Sequence, residues 1–456
     1  MESVKKISVK EKELSERKTP WKSVYVVAFL LLLIGLQMSI YFTSTWQFLI
    51  ENDASVTVDF FGALLALQAL SSAFANPLFG YWNQVSTSTR RPVFCAFGIA
   101  TIGNLIYSFS YLSPFVKWTM LFSRILTGAS PGALGVLRSF IGTASTKEDR
   151  MKAVSITNSG FTAGFFLGPT IQICFIPLGK DGISIGPLIL NIIFSIFLTY
   201  FCLEENYVGI ITNEEKDSDP YFVLPKFDRP PVLLLFFMWW LMCGVVCVES
   251  MSAPVTIAMY DWTREQAVLY NGIIQTVSCV FTFFINFSLA STGLKKVDNR
   301  ILMITGLLFF EAFFILHFPL PFYPGPLNCD FEWCYSTPRV PLPLYLVISS
   351  AVIGLGFPLI SSTSSALLSQ IIGPRKQGTV QGFFAFTGSF SQFVVSLFST
   401  RLFELSGYKW IMVYHWLIVT IALLSVLFLW KRLVPLKLTP SQGEATRYKL
   451  GTFYRM

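Results

Sequence analysis

The sequence predicts an all-α membrane protein in which twelve transmembrane helices form two pseudo-symmetric six-helix bundles. The composition is 53% hydrophobic and only 13% charged, which is too apolar for an ordinary water-facing surface. Twelve apolar runs are each long enough to cross a hydrocarbon core about 30 Å thick. The Lys and Arg residues collect in one set of connecting loops, as expected when those loops face the cytoplasm.

The apolar runs are separated by polar breaks that often contain Pro or Gly. We predict spans at 24–45, 59–81, 92–112, 118–142, 152–177, 185–203, 232–254, 266–290, 301–319, 342–367, 378–402 and 410–430. The first run follows a charged leader without a small-residue cleavage site, so it is predicted to be a retained span. The predicted units are an N-terminal tail (1–23), an N-terminal bundle (24–203), a central linker (204–231), a C-terminal bundle (232–430) and a C-terminal tail (431–456).

The basic residues predict the orientation of the spans. With both termini in the cytoplasm, 26 of the 34 Lys and Arg residues lie in cytoplasmic tails and loops, five on the opposite side and three within spans. An odd number of spans would mix these sets, so twelve spans and cytoplasmic termini are predicted together. Because the basic residues form no separate domain, we expect no nucleic-acid partner.

The two halves carry a short repeat on either side of the linker. Arg150 and the segment Phe161–Gly164 have counterparts at the same offset in Arg375 and Phe386–Ser389. Parallel repeated halves are typical of secondary transporters, whose substrate site lies where the halves meet near the bilayer midplane.

Two loops resemble the Gly-x-x-x-Asp-Arg-x-Gly-Arg-Arg gating loop of the major facilitator superfamily. The first follows the second span, begins at Gly80 and ends in Arg90 and Arg91, and the equivalent loop of the second half carries Asp298 and Arg300. In that superfamily the acid pairs with nearby Arg and helix ends and holds the cytoplasmic side shut. The resemblance implies gating roles for these residues, with a weakened latch in the first half, which lacks the acid. The alternative is that the basic residues anchor the loops to anionic headgroups.

Two motifs within spans also resemble that superfamily. The fourth span carries an Arg-x-x-x-Gly motif beginning at Arg124, and the fifth carries Gly160, Gly164, Gly168 and Pro169 in a Gly-x-x-x-Gly-Pro pattern. Glycines four residues apart let a neighbouring helix approach closely, and Pro169 removes a helix hydrogen bond and permits bending. We predict that these glycines and Pro169 are structural hinges and packing sites and not ligands.

Ionisable residues within spans are candidates for a solute pathway, because each costs at least about 2.5 kcal/mol unless it is paired or hydrated. Arg124 and Arg138 are fourteen residues apart in the fourth span, close to four helical turns, so both are predicted on roughly one face. We predict that Arg124 faces the cavity. For Arg138, near the cytoplasmic end, the prediction is either contact with the substrate or a role at the membrane interface or as a latch.

Two carboxylic acids are candidates for proton coupling, since burial would raise a carboxyl pKa into a range where it titrates. Glu249 lies in the seventh span and Glu311 in the ninth. The alternative for Glu249 is an ion pair with an Arg of the other half. Glu311 is the weaker candidate because the ninth helix commonly lies outside the cavity in the superfamily, and its carboxyl group can simply satisfy a neighbouring helix.

Polar residues in helices that line the superfamily's cavity are further candidates. They include Gln37 and Tyr41 in the first span and Ser350 in the tenth. Hydrogen bonding between helices is the alternative for these residues. We interpret the pair Trp239-Trp240 as packing or lipid-facing residues.

Cys329 and Cys334 differ from the other six cysteines, which lie in apolar runs. Both occur in a polar, Pro-rich stretch that the topology places on the non-cytoplasmic side. A local disulfide between them is the prediction for an oxidising lumen.

From about Trp21 to Lys431 the sequence resembles the animal lysosomal branch of the superfamily associated with neuronal ceroid lipofuscinosis. The resemblance implies a lysosomal or late endosomal multi-pass protein, with the plasma membrane as the alternative. Members of that branch have been described as passing chloride, which would suit Arg124 as an anion-attracting group. Tyr207–Ile210 and Tyr221–Leu224 fit tyrosine-based sorting signals that adaptors would read, although such patterns are frequent by chance.

The sequence contains no ATP-binding loop, metal-hydrolase motif or catalytic triad, and it has only two His residues, so we expect no enzyme, no cofactor and no metal site. The leading hypothesis is a monomeric secondary active carrier of a small anionic solute, working by alternating access with proton coupling. On this hypothesis, Arg124→Gln abolishes anion transport without preventing insertion. The alternatives are a channel-like anion conductance and a non-transporting receptor or scaffold on the same fold.

Overall fold

The computed structural model describes residues 16–40, 49, 53, 55–56, 58–175, 195–210, 226–250, 252–325, 327, 332–436, 445–448 and 451–454. The first half contains helices α1 (Trp21–Ile40), α2 (Val58–Ser86), α3 (Arg90–Ser108), α4 (Val116–Ala129), α5 (Gly132–Ala144) and α6 (Arg150–Phe175), a 3₁₀ turn (Ser110–Leu112) and a π-helical segment (Leu198–Cys202). The second half contains α7 (Arg229–Ser250), α8 (Ser252–Tyr260), α9 (Arg264–Ser291), α10 (Asn299–His317), α11 (Leu342–Val347), α12 (Ile353–Ile372), α13 (Gly378–Ser406) and α14 (Tyr408–Phe428).

Shorter elements complete the described chain. They are 3₁₀ turns at Gly293–Lys296 and Glu332–Ser336, a π-helical segment at Ile348–Val352, and an antiparallel hairpin of β1 (Ala445–Tyr448) and β2 (Gly451–Tyr454) in the C-terminal tail.

The all-α membrane fold is confirmed. Among the described residues, eight helical stretches are long and apolar enough to cross a bilayer. Large apolar side chains such as Leu78 and Phe284 are 69% and 59% exposed on these helices, as expected for a surface that faces lipid. Helix ends follow local sequence: Thr263 and Gln266 form a capping box at the start of α9, and Gly407, with φ of +67°, ends α13.

Two predicted spans are locally irregular where the sequence analysis expects regular α-helices, although each remains one helical stretch, Val116–Ala144 and Leu342–Ile372. In the fourth span, α4 and α5 are joined by Ser130 and Pro131, whose backbones stay in the right-handed helical region. The tenth consists of α11, the π-helical segment Ile348–Val352 and α12, which contains Pro358. Proline cannot donate the helix hydrogen bond, and π-helical insertions also redirect the side chains that follow.

The two largest clusters of buried apolar side chains lie in different halves of the chain. The largest cluster draws only on residues between Val232 and Leu433. A second cluster draws on residues between Val24 and Leu203 together with Ala366. Each half therefore has its own core among the described residues, while the exact domain boundaries stay predictions.

The glycines of the fifth span bring α6 into close contact with α1. A Cβ atom added to Gly160 would lie 2.2 Å from the carbonyl oxygen of Ala28, and one added to Gly164 would lie 2.0 Å from that of Leu32. Both distances are far inside van der Waals contact, so the two backbones touch where the glycines lie. Gly168 and Pro169 also fall within α6, but their side-chain surroundings lie outside the described part.

We expect Gly164→Val to destabilise the first half, because the new side chain would have to displace backbone atoms of α1. The loss should be about 1–3 kcal/mol of unfolding free energy, read as a lower midpoint in thermal unfolding of the detergent-solubilised protein. Gly62→Val in α2 is the matched control, since a Cβ at Gly62 meets nothing within 4 Å. Equal midpoints for the two variants would contradict the contact.

Candidate functional site

Arg138 lies at the interface between the two halves. Its Cζ atom on α5 is 4.3 Å from the ring centre of Trp239 on α7, a favourable position for a cation. The Trp239 ring stacks on Phe384 at 4.9 Å, and a Cβ atom at Gly388 would lie 2.4 Å from the indole nitrogen. Stacking on Phe384 holds the Trp239 indole, and Gly388 leaves room for it because it has no side chain. The buried Nη1 atom of Arg138 has no hydrogen-bond partner among the described residues.

A cavity of 190 Å³ lies between the halves, and Arg138 and Trp239 line it. Arg138 is the only charged side chain in the described part of the lining. The volume is below the range of roughly 300–1,000 Å³ that is usual for drug-sized ligands, so the cavity fits a small solute. Its polar lining residues are Ser72, Asn76, Asn158, Thr162, Gln275, Ser278, Thr282, Asn286, Ser361, Ser389 and Gln392.

Hydrogen bonds join the halves on two flanks of this cavity. On one flank, Asn158 of α6 donates to Ser362 Oγ of α12 at 2.8 Å, and Ser362 donates to Asn286 Oδ1 of α9 at 2.7 Å. On the other flank, Asn76 of α2 donates to Ser389 Oγ of α13 at 3.2 Å. Such bonds between membrane helices are modest, about 0.6 kcal/mol on average. They can therefore be exchanged during a conformational change.

The end of the bundle that carries Gly80, Arg150 and Gly378 is called the basic end below, and the charge distribution predicts that it faces the cytoplasm. There, α2 touches α13: a Cβ atom on Gly80 would lie 2.5 Å from the carbonyl oxygen of Gly378. The side-chain oxygen of Gln84 accepts the backbone N–H of Thr379 at 2.9 Å. Gln84 stands where the gating-loop motif has its Asp, four residues after Gly80. Its side-chain oxygen accepts a backbone N–H at the start of α13 that has no acceptor within that helix. The first-half loop thus keeps a contact across the halves without the acid.

Arg150 makes a second contact across the halves at the basic end. It is 4% exposed, and its Nη1 donates to the carbonyl oxygen of Ser369 in α12 at 3.2 Å. Its Nη2 donates to the carbonyl oxygen of Ser145 at 3.0 Å. Cations are favoured at the carbonyl end of a helix, so Arg150 links the end of α12 to the first half at the basic end.

The gating residues predicted from the loops make their described contacts within one half. Arg90 donates from Nε to the carbonyl oxygen of Leu203 at 2.6 Å, and Arg91 is exposed. Asp298 caps α10 by accepting the N–H of Arg300 at 2.9 Å. The Arg300 side chain donates to the same carboxylate, which holds the pKa of Asp298 below its usual range. These contacts stabilise loops of each half, and a gating role for the four residues stays a prediction.

Arg124 lies away from the described lining of the cavity. It is 4% exposed, and its Cζ atom is 4.9 Å from the ring centre of Tyr107 on α3. The Arg138 guanidinium group lies over a ring of a different helix, Trp239 of α7. A pathway role for Arg124 stays a prediction.

The other pathway candidates are dispersed. Gln37 is buried on α1 but is not among the described lining residues. Ser350 lies in the π-helical segment of the tenth span and donates to the carbonyl oxygen of Leu346 at 2.6 Å. Tyr41 lies outside the described residues, as does the side chain of Glu249.

Glu311 serves a neighbouring helix, as its alternative interpretation predicts. Its carboxylate accepts hydrogen bonds from Trp416 Nε1 at 2.6 Å and Thr420 Oγ1 at 2.8 Å, both on α14. Neither it nor its partners belong to the described lining of the cavity. The carboxylate therefore has a packing role between α10 and α14.

We expect Glu311→Gln to leave the pH dependence of transport unchanged, because Gln keeps an oxygen acceptor for one of the two donors. Glu249→Gln is the comparison variant and should abolish the pH dependence if Glu249 is the coupling carboxyl group. Solute flux into proteoliposomes measured from pH 5 to pH 8 checks both. If transport by Glu311→Gln did not depend on pH while transport by Glu249→Gln kept the natural pH dependence, the coupling carboxyl group would be Glu311 and not Glu249.

Cys334 is disulfide-bonded. Four of the other cysteines, Cys95, Cys202, Cys243 and Cys279, are thiols that take no part in a disulfide. Cys329 lies outside the described residues, so its pairing with Cys334 stays a prediction.

Of the two candidate sorting signals, Tyr221–Leu224 lies outside the described residues. Tyr207–Ile210 is described, and it is docked on the first half: the Tyr207 hydroxyl lies 3.1 Å from Thr89 Oγ1, and Ile210 is 7% exposed. An adaptor could bind both side chains only if this segment detached from the first half.

The sequence analysis misses three residues of the site. Trp239, interpreted as packing or lipid-facing, lies against Arg138 in the cavity; the Arg–Trp contact joins different halves and leaves no local pattern. Gln84 could have been found from its spacing after Gly80. Arg150 stands in the repeat, but its partner is a backbone carbonyl, which no side-chain pattern reveals.

A two-bundle membrane fold with a small cavity at the interface of the halves is typical of a membrane transporter. Residues 27–329 match the family model of the Major Facilitator Superfamily, and the chain belongs to that family. It is 28% identical to major facilitator superfamily domain-containing protein 8 of Xenopus laevis, covering 92% of each chain.

Solved structures of transporters share the fold. The human organic anion transporter MFSD10 (TETRAN) superposes with a TM-score of 0.63 at 15% identity, covering 90% of this chain and 100% of that one. The proton:xylose symporter XylE gives a TM-score of 0.65 at 13% identity, covering 92% of this chain and 96% of that one. At these identities the likeness concerns the fold alone.

Proposed function

We propose that this protein is a secondary active carrier that moves a small anionic solute by alternating access. The observation that carries the proposal is Arg138, whose buried Nη1 atom has no described partner and whose guanidinium group lines the cavity between the halves. A guanidinium N–H group that is buried without an acceptor is costly. A bound anion would remove that cost by accepting the free N–H groups, since a guanidinium group donates to carboxylate and phosphate-like oxygens in a planar fork.

The basic end supports a carrier over a channel-like conductance. Gln84 and Arg150 each bond to the backbone of the other half there, so a path from the cavity to this end requires the halves to separate. Alternating access consists of this separation, coupled to closure at the other end. A channel-like anion conductance and a non-transporting receptor remain the rival functions that the measurements below distinguish.

The proposal includes a coupling ion and a location. Glu249 is proposed as the proton-coupling carboxyl group, on the basis of its place in the seventh span. The endolysosomal membrane, with both termini in the cytoplasm, is proposed from the charge distribution and from the likeness to protein 8 of the family. Fluorescence microscopy of the tagged full-length chain beside a lysosomal marker tests the location, and exclusive plasma-membrane staining would contradict it.

The solute can be identified by untargeted metabolite profiling of isolated organelles with and without the protein. Candidate anions are then tested for thermal stabilisation of the purified chain, because a ligand at about 100 times its Kd stabilises by roughly 2.7 kcal/mol. The proposal expects an anion that stabilises the natural chain and fails to stabilise Arg138→Gln. Stabilisation by neutral or cationic solutes alone would contradict it.

A further inference from the structure

The segment that follows the sixth predicted span packs against the first half at the basic end. This segment, Leu203–Ile210, is called the linker strap. The carboxylate of Glu205 accepts the backbone N–H groups of Thr89 at 2.5 Å and Arg90 at 2.6 Å. These N–H groups lie at the start of α3, where a negative charge is favoured. The beginning of the linker strap thus caps α3.

The far end of the linker strap is also held by the first half. Arg17 donates from Nη1 to the carbonyl oxygens of Val208 and Ile210, both at 3.1 Å. The ring of Tyr207 packs edge-on against Phe140, with centroids 5.7 Å apart, and burial raises the pKa of Tyr207 to about 12. The linker strap is therefore docked along its whole length.

Gly209 is the point at which the linker strap meets Arg150. Its N–H donates to the carbonyl oxygen of Thr143 at 2.7 Å. A Cβ atom at Gly209 would lie 2.3 Å from the carbonyl oxygen of Ser145 and 3.2 Å from Arg150 Nη2. The Ser145 oxygen is the acceptor that orients Arg150, and the same guanidinium group bonds Ser369 in the other half. Only glycine fits here without moving the acceptor or the guanidinium group.

The second half repeats the docking of the segment that follows its last span. After the twelfth span, the N–H of Leu436 donates to the carbonyl oxygen of Gln370 at 3.1 Å. Gln370 lies near the end of α12, as Thr143 lies near the end of α5. Both halves thus tie the segment after their last helix to the end of their fourth span, but it is Gly209 that lies beside the latch formed by Arg150 and Ser369.

We propose that the linker strap is part of the gate at the basic end, and that Gly209 is a positioning residue that acts through Arg150 on Ser369. With the linker strap docked, Ser145 orients Arg150 toward the end of α12, and the basic end is closed. When the linker strap is displaced, Arg150 loses its orientation, and opening becomes easier. This role is independent of which solute is carried.

Hydrogen exchange measured by mass spectrometry on the full-length chain in lipid nanodiscs tests this role. In Gly209→Ala, exchange should become roughly tenfold faster at two places, as expected for the loss of one charged hydrogen bond. The first is the linker strap. The second is the start of α13, where the N–H of Thr379 is held by Gln84 of the other half. Gly293→Ala, also in a loop near the basic end but with nothing within 4 Å of its added Cβ, should change neither.

If Gly209 only stabilises the linker strap, Gly209→Ala will speed exchange in the linker strap and leave exchange at the start of α13 unchanged. That result would overturn the proposal. Arg150→Lys should also speed exchange at the start of α13. The double variant with Gly209→Ala should exchange no faster than Arg150→Lys alone, because both substitutions act through the contact of Arg150 with Ser369. Additive effects would likewise count against the proposal. If Gly209→Ala does not fold, Tyr207→Phe, which removes the hydroxyl contact with Thr89, is judged by the same criterion at the start of α13.

Discussion

Arg138→Gln is expected to weaken binding of the transported anion by roughly tenfold to a hundredfold, because it removes a charged hydrogen-bond donor worth about 1.5–3 kcal/mol. Gln keeps a polar group at the site, so the cavity should remain. Binding is measured by isothermal titration or thermal stabilisation of the purified chain, with the anion identified by metabolite profiling. Transport at low solute concentration should fall by a similar factor.

Arg124→Gln is the matched control for Arg138→Gln. Both residues are arginines of the fourth span that lie over an aromatic ring, but Arg138 is half-buried and lines the described cavity, whereas Arg124 is buried away from it. The structure therefore predicts unchanged anion affinity for Arg124→Gln, whereas the sequence alone predicts loss of transport. Normal binding in Arg138→Gln together with lost binding in Arg124→Gln would move the site to Arg124.

Gly80→Val is expected to prevent closure of the basic end. A Cβ atom at this position would lie 2.5 Å from the carbonyl oxygen of Gly378 and 2.9 Å from the Cα of Gly382. Overpacking of this kind costs about 1–3 kcal/mol, which would lower the ratio of closed to open molecules by roughly fivefold to more than a hundredfold. We expect a loss of turnover of similar size, with solute binding retained, measured by exchange of labelled solute across proteoliposomes.

Gly98→Val controls for the cost of a β-branched residue within a helix. Gly98 lies in α3, and a Cβ atom there meets nothing within 4 Å. Its turnover should be close to that of the natural chain. Equal losses of turnover in the two variants would show that helix propensity and not contact between the halves limits the cycle.

The fold could be predicted from the sequence because its determinants are local or statistical. Apolar runs set the helices, and Gly160 and Gly164 mark the close contact of α6 with α1 through their spacing alone. The irregularity at Ser130 and Pro131 was visible as a proline, but proline within a membrane helix produces a kink, a break or almost no change, depending on its neighbours.

The site was less predictable because its contacts join residues far apart in the chain. Arg138 was recognised as a buried charge, but its place in the cavity depends on Trp239, which is fixed by Phe384 and Gly388 of another helix. The gate depends on backbone groups: Gln84 bonds an N–H, and Arg150 bonds a carbonyl oxygen. Backbone acceptors are present at every position and carry no sequence signal.

Countertransport in proteoliposomes tests alternating access most directly. Vesicles containing the purified chain are loaded with unlabelled anion, and uptake of labelled anion is followed as the external concentration rises. A carrier predicts saturating uptake that is accelerated by anion on the opposite side, at fewer than roughly 10⁶ solutes per second per molecule, because collective domain motions take microseconds or longer. Unsaturated flux above that rate, unaffected by anion on the opposite side, would contradict a carrier and establish a conductance.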